Sequence, residues 1–346
     1  MVKDVTPDIW KMEGGKRKTW WWWFWLFFFN NPEKPKEPRQ LMILWSKKRE
    51  RHILCNDVML DMNEDVHRSG NELEFSGATA AWFYDGKKMH EDFVVTPSRL
   101  QLSGSKRSLS AKESSFSQKG DQFTVKISGK QASIDFKMQQ DPDFPPFHKD
   151  SHFLDRIGYN ILKINRLNLS GKIKSKGSIQ TIAGTAYFQK VFVNGIVIPW
   201  QWGMVHFHNG SIITYNIGRL GHSLFAEHHQ PLDIKLRKKL EFYDAKSNMK
   251  YFFRNVRIRR TPGKLPSFTL DAKSREAELH IELNSYSRAL WRLQKSRRHS
   301  INTLYYHEFC VSAKEFRLKT SDGRMITLHE TGPAVGNCED SKGMMI

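Results

Sequence analysis

The sequence has little cysteine and no cysteine pattern. Its three cysteines, Cys55, Cys310 and Cys338, lie far apart, and no CxxC occurs. That excludes a disulfide framework or a zinc knuckle and fits an intracellular, reducing setting. The apolar run from Trp20 to Phe29 falls short of the about 20 residues that a membrane-spanning helix needs. A secretory leader is not expected either. Lys16-Arg17-Lys18 precede this run, but Asn30-Asn31-Pro32-Glu33 follow it, with no small-residue cleavage site. No segment repeats with a period of about 20 to 50 residues, which excludes a solenoid. Acidic residues are also few, 36 Asp+Glu against 55 Lys+Arg, a formal charge of +19. Such an excess favours an anionic partner or surface. The basic residues are spread through KRK, KKRER, RKK, RIRR and KSRRH rather than gathered in one arm. A solvated basic face follows, with peripheral contact to an anionic membrane as the associated expectation. Nucleic acid is not the expected partner.

Aromatic residues, by contrast, are abundant: 11 Trp and 23 Phe. Five Trp and four Phe fall in WWWWFWLFFF, Trp20 to Phe29. Aromatics fit a pleated surface, and ten residues make a plausible strand. Alternation puts Trp20, Trp22, Phe24, Leu26 and Phe28 on one face, and Trp21, Trp23, Trp25, Phe27 and Phe29 on the other. Both faces are apolar, so both need covering by protein, ligand or lipid.

Short alternating runs punctuated by Asp85-Gly86, Gly120-Asp121, Gly129-Lys130 and Asn209-Gly210 continue along the chain. This spacing predicts an all-β sandwich or barrel. DPDFPP, Asp141 to Pro146, ends the first set of strands, and Phe147 to Gly158 reads as a linker. The second half restarts the same grammar, so two β-rich domains are expected, 1–160 and 161–346. Ser287 to Arg298 is the one stretch with the look of a short helix.

WQWGMVHFHNGSIITYN, Trp200 to Asn216, carries the most chemistry. On a strand, Trp200, Trp202, Met204, His206 and His208 share a face. Two Trp and two His could line an aromatic pocket able to move a proton. The plainer reading makes His208 a turn residue and His206 a satisfied buried histidine. His-x-His can also ligate a metal, with Glu227-His228-His229 as a source of further ligands. The expectation is nevertheless no metal and no cofactor.

The aromatic run resembles the opening strand of the carotenoid 1,2-hydratase (hydroxyneurosporene synthase) family. GTAYFQKVFVNGIVIPWQWGMVHFHNGSIITY, Gly184 to Tyr215, is similar to that family's Trp-x-Trp block, and GNCEDSKG, Gly336 to Gly343, to its closing strand. The resemblance implies two lipocalin-like β-barrel domains in tandem with little helix. It also implies a pocket for a long apolar, isoprenoid-like or carotenoid-like lipid, hydrated or cyclised by acid catalysis, in a cytoplasmic protein. The alternatives are a carrier without chemistry and a basic protein binding an anionic membrane or nucleic acid. Trp20, Trp22, Phe24, Tyr187, Trp200, Trp202 and Met204 are the expected ligand-binding residues. Hydration of an isolated double bond needs a proton donor, and a carboxyl in an apolar site can remain protonated. The family carries an Asp-His-rich stretch where this chain has Tyr187-Phe188-Gln189-Lys190, so the acid must come from elsewhere. The catalytic candidates are Glu227, His206, Gln189 and Asp85, with Asp92 and Glu308 as further carboxylates.

Overall fold

The computed structural model describes residues 6–14, 19–50, 52–62, 65–130, 132–140, 148–154, 157–175, 177–195, 197–221, 234–295 and 303–345. The aromatic run forms strand β1 (Thr19–Phe29), antiparallel to β2 (Arg39–Lys48). The small hairpin β3 (His52–Cys55) and β4 (Val58–Asp61) follows, then β5 (Val66–Ser69), β6 (Glu72–Tyr84) and β7 (Met89–Ser103). The meander goes on through β8 (Ser108–Ser110), β9 (Ser114–Lys119), β10 (Gln122–Ser128) and β11 (Ser133–Gln140). After β12 (His148–Leu154), the long strands β13 (Ile157–Ser175) and β14 (Ser178–Asn194) return to the starting point. There β14 pairs with β1 and β13 pairs with β11. These pairings close a ten-stranded barrel, in the order β11-β10-β9-β8-β7-β6-β2-β1-β14-β13.

Side chains fill the barrel interior. Trp21, Trp23, Trp25, Phe27 and Phe29 point inward from β1 and join one core with Trp45, Phe116 and Phe188. The Trp25 ring lies 4.8 Å from Phe188 and 5.7 Å from Phe123, centroid to centroid. One end is plugged by the segment around the single helical turn α1 (Thr6–Ile9). There Trp23 Nε1 donates to the Ile9 carbonyl at 2.9 Å, and Trp10 packs 4.7 Å from Phe116. Burying each such ring stabilises the fold by roughly 3 kcal/mol. This barrel is therefore a packed core.

The second sheet is built from β15 (Trp200–Phe207), β16 (Ile212–Leu220), β17 (Ile234–Asp244), β18 (Met249–Phe253), β19 (Asn255–Arg260), β20 (Ser267–Lys273), β21 (Ala277–Gln294), β22 (Thr303–Thr320), β23 (Met325–Thr327) and, after the turn α2 (Leu328–Thr331), β24 (Ala334–Gly343). Its order is β18-β17-β16-β15-β24-β22-β21-β20-β19, and its two ends do not pair. The expected pair of tandem barrels is thus corrected to one closed barrel and one open, curled sheet, all-β with little helix. The two parts are tied by β3, which pairs with the end of β21 at Cys55–Leu293.

Three local expectations also change. Ser287 to Gln294 is strand, the second half of β21, and 296–298 lie outside the described residues. A bulge at Ser285/Ser287 reverses which face the odd-numbered residues take, so Leu283 and Trp291 belong to different cores. That reversal breaks strict alternation and imitates a helical spacing. The expected linker holds β12, whose register partners lie in β13. Position 160 falls within β13, and strands β13 and β14, through Asn194, belong to the first sheet. No helix among the described residues is long and apolar enough to cross a membrane.

Candidate active site

The second face of β1 explains why ten apolar residues stand together. Trp20, Phe24, Leu26 and Phe28 point out of the barrel and are buried under the second sheet. Antiparallel register lays out the two facing surfaces in rows. On the barrel, Tyr187, Leu26, Met42 and Trp82 form one row, and Gln189, Phe24, Leu44 and Ala80 the next. On the sheet, Trp202, Glu339, Glu308 and Ala289 form a row across β15, β24, β22 and β21. The rings meet between the layers: Trp202 lies 5.4 Å from Tyr187 and 6.2 Å from Phe24. Tyr306 lies 5.6 Å from Trp200 and 6.3 Å from Trp291.

Two carboxyl groups sit in this aromatic layer. Glu308 is 1% exposed and Glu339 3%, and they are direct register partners. Glu339 Oε2 accepts a hydrogen bond from Trp200 Nε1 at 2.6 Å. Tyr306 and Asn337 lie near enough to Glu308 to favour its charged form, yet neither completes a hydrogen bond to its oxygens. Burial is the largest influence on both groups. It raises Glu308 well above the usual carboxylate range, with the Glu339 charge adding to the effect. It raises Glu339 to about 7, against the opposing hydrogen bond from Trp200. Like charges directly opposite each other are unfavourable, the more so where water is excluded. The pair therefore titrates as a unit and holds a proton at neutral pH. A protonated carboxyl flanked by Trp and Tyr faces can give its proton to a carbon–carbon double bond, and the rings then stabilise the cation.

The sequence matches no family model and no curated protein sequence. Solved structures do match. A putative AttH from Nitrosomonas europaea aligns with a TM-score of 0.58 at 12% identity, over 95% of this chain and 94% of that one. Kievitone hydratase from Nectria haematococca aligns with a TM-score of 0.50 at 10% identity, over 99% and 93%. The chain shares their fold. The likeness spans both halves, the closed barrel and the open sheet alike.

Trp20, Phe24, Tyr187, Trp202 and Met204 are brought together at the interface, with the partly exposed Trp22 and Trp200 packed against them. Gln189 is there too, accepting from the Tyr187 hydroxyl at 2.9 Å. His206 shares the face but not the acid pair; it lies four residues along β15 from Trp202, roughly 13 Å at strand rise. Its Nε2–H donates to the Asn165 carbonyl at 2.8 Å, and Nδ1 accepts from the Thr185 hydroxyl at 2.8 Å. Burial, then the Arg166 charge, hold it well below the usual histidine range, so it is a neutral clamp onto β13 and β14. His208 is an exposed turn residue.

Asp85 is a turn residue of the β6–β7 hairpin. Burial would raise its pKa, but the His90 hydrogen bond at 2.8 Å and the Lys87 and Lys88 amides hold it low. Asp92 is exposed, beside Asn56. Glu227, His228 and His229 lie outside the described residues. Sequence reasoning passed over Glu339, Asn337 and Tyr306. A usable signal was present: in GNCEDSKG, strict alternation puts Asn337, Glu339 and Ser341 on one face, a carboxylate among residues that cannot all reach water.

Proposed function

We propose that the layer between barrel and sheet receives a long apolar molecule, and that the Glu308–Glu339 pair protonates it, leading to hydration or cyclisation. The observation that carries this reading is the buried carboxyl pair itself. A carrier of apolar ligands needs no such pair, and burying one costs stability. The aromatic rings around it suit an apolar chain and a transient cation. The resemblance of the Trp-x-Trp block to the carotenoid 1,2-hydratase family, and the fold shared with a hydratase, support the same class of reaction. Trp22 and Trp200, both partly exposed, mark the edge at which a ligand parts the two layers.

Glu339 is assigned as the donor. Its Oε2 is fixed by Trp200, which leaves the other oxygen to carry the proton. Glu308 keeps that proton in place by being unable to ionise alongside it. In hydration, water adds to the cation and returns a proton to the pair. In cyclisation, a second double bond adds and a neighbouring C–H gives up its proton. The test is to incubate the protein with long polyenes and analyse the extract by mass spectrometry. A product heavier by one water, or an isomer of changed retention, is expected, and is lost in Glu339→Gln. Unchanged polyenes across a broad isoprenoid panel would refute the reading.

A further inference from the structure

The opposite face of the same sheet carries a second polar cluster, of the other sign. Asp340 is fully buried and bridges two arginines from strands distant in the sheet order. Arg219 of β16 reaches its Oδ1 at 2.7 Å, and Arg260 of β19 reaches its Oδ2 at 2.6 Å. Around them stand His307 of β22, Arg288 of β21 and Lys342 of β24. Phe309 links the group: its ring stacks on His307 at 5.9 Å and carries the Arg260 guanidinium 5.1 Å from its centre. Arg288 is the register partner of Phe309, and His307 that of Asp340. Burial first, then the Arg288, Lys342 and Arg260 charges, push His307 down to about 4, against the pull of Asp340. The histidine therefore senses all three cations.

Hydrogen bonding gives the reading. Among the described residues Asp340 pairs with Arg219 and Arg260, and the Glu91 carboxylate, from the neighbouring β7, is the one whose charge acts on Arg288. Buried Nε of Arg260, Nε of Arg288 and Nδ1 of His307 have no hydrogen-bond partner. His307 is 9% exposed, so water does not readily serve it. We propose that this cluster binds an oxyanion, the phosphate or carboxylate group of a small molecule, between Arg260, Arg288 and His307. Guanidinium forks match both groups by paired hydrogen bonds. Asp340 holds two of the arginines in place beforehand, which lowers the entropy cost of binding. Cations partly screened from water also resist salt better than the exposed lysines of this basic chain.

The site lies across the sheet from the carboxyl pair and does not depend on the function assigned to that pair. Calorimetric titration of the full chain with inorganic pyrophosphate, and separately with succinate, tests it and distinguishes phosphate from carboxylate. One saturable site for at least one of them is expected. Arg288→Gln should weaken it about ten- to a hundredfold. Arg288→Lys, which keeps the charge but loses the fork, should fall between. Lys112→Gln and Lys319→Gln, at exposed positions, should leave it unchanged. Absence of saturable binding by either anion would overturn the proposal. So would equal weakening by the two lysine variants, which would mean general attraction to a chain of charge +19.

Discussion

Glu308 and Glu339 face each other as register partners on β22 and β24, both buried. The arrangement makes stability depend on pH in a definite direction. Both folded-state pKa values are raised, Glu339 to about 7. The folded chain thus keeps protons that the unfolded chain releases above about pH 4.3. The contribution is complete below that value and is lost as pH rises through about 7. Glu308→Gln removes one member of the pair. Melting temperatures of parent and variant, followed from about pH 5 to pH 8, should diverge, the parent losing ground as pH rises. Parallel curves would contradict the shared proton.

The packed barrel makes a second expectation. Trp25 is fully buried and touches Phe27, Phe116, Phe123 and Phe188. Trp25→Ala should cost about 3–5 kcal/mol in denaturant unfolding. Met325→Ala, at a residue 45% exposed, should stay within about 0.5 kcal/mol. Similar small effects from both would mean that the barrel interior is not filled.

Gly184 lets β14 lie close against β1. A Cβ there would come 2.0 Å from the Phe28 carbonyl oxygen, a backbone atom that cannot turn aside. Gly184→Ala should therefore destabilise by about 3 kcal/mol, the upper end of ordinary overpacking. Gly14→Ala meets nothing within 4 Å and should be near neutral in the same unfolding assay.

His206 is expected to stay neutral, with its proton on Nε2. Nitrogen NMR of ring-labelled protein should show that tautomer unchanged across the range in which an ordinary histidine titrates. Protonation in the ordinary histidine range would remove its role as a clamp and reopen it as a proton carrier.

Much of the fold could be read from the residues. Alternation in WWWWFWLFFF gave the two faces of β1, one filling the barrel and the other meeting the sheet. The hairpin at Asn209-Gly210 was legible because φ is positive at Gly210, +98°, where glycine is favoured. Closure was not legible. Whether ends pair depends on contacts such as Ser133–Lys174, far apart in sequence, and no local pattern reports them. The face shared by Trp200, Trp202, Met204 and His206 was readable from alternation. The acid pair was not, because Glu308 and Glu339 become neighbours only through the pairing of β22 with β24. The role of His206 was not legible, because a buried histidine between aromatics looks the same in sequence whether it moves protons or holds strands together.

The most direct measurement is infrared difference spectroscopy on the protein at pH 7, with and without a long polyene that quenches its tryptophan fluorescence. The expected result is a protonated-carboxyl C=O band in the ligand-free protein. It should shift when the polyene binds and disappear in the double variant Glu308→Gln, Glu339→Gln. A spectrum without that band, or one in which the band ignores every quenching polyene, would contradict the placing of an acid at the ligand site.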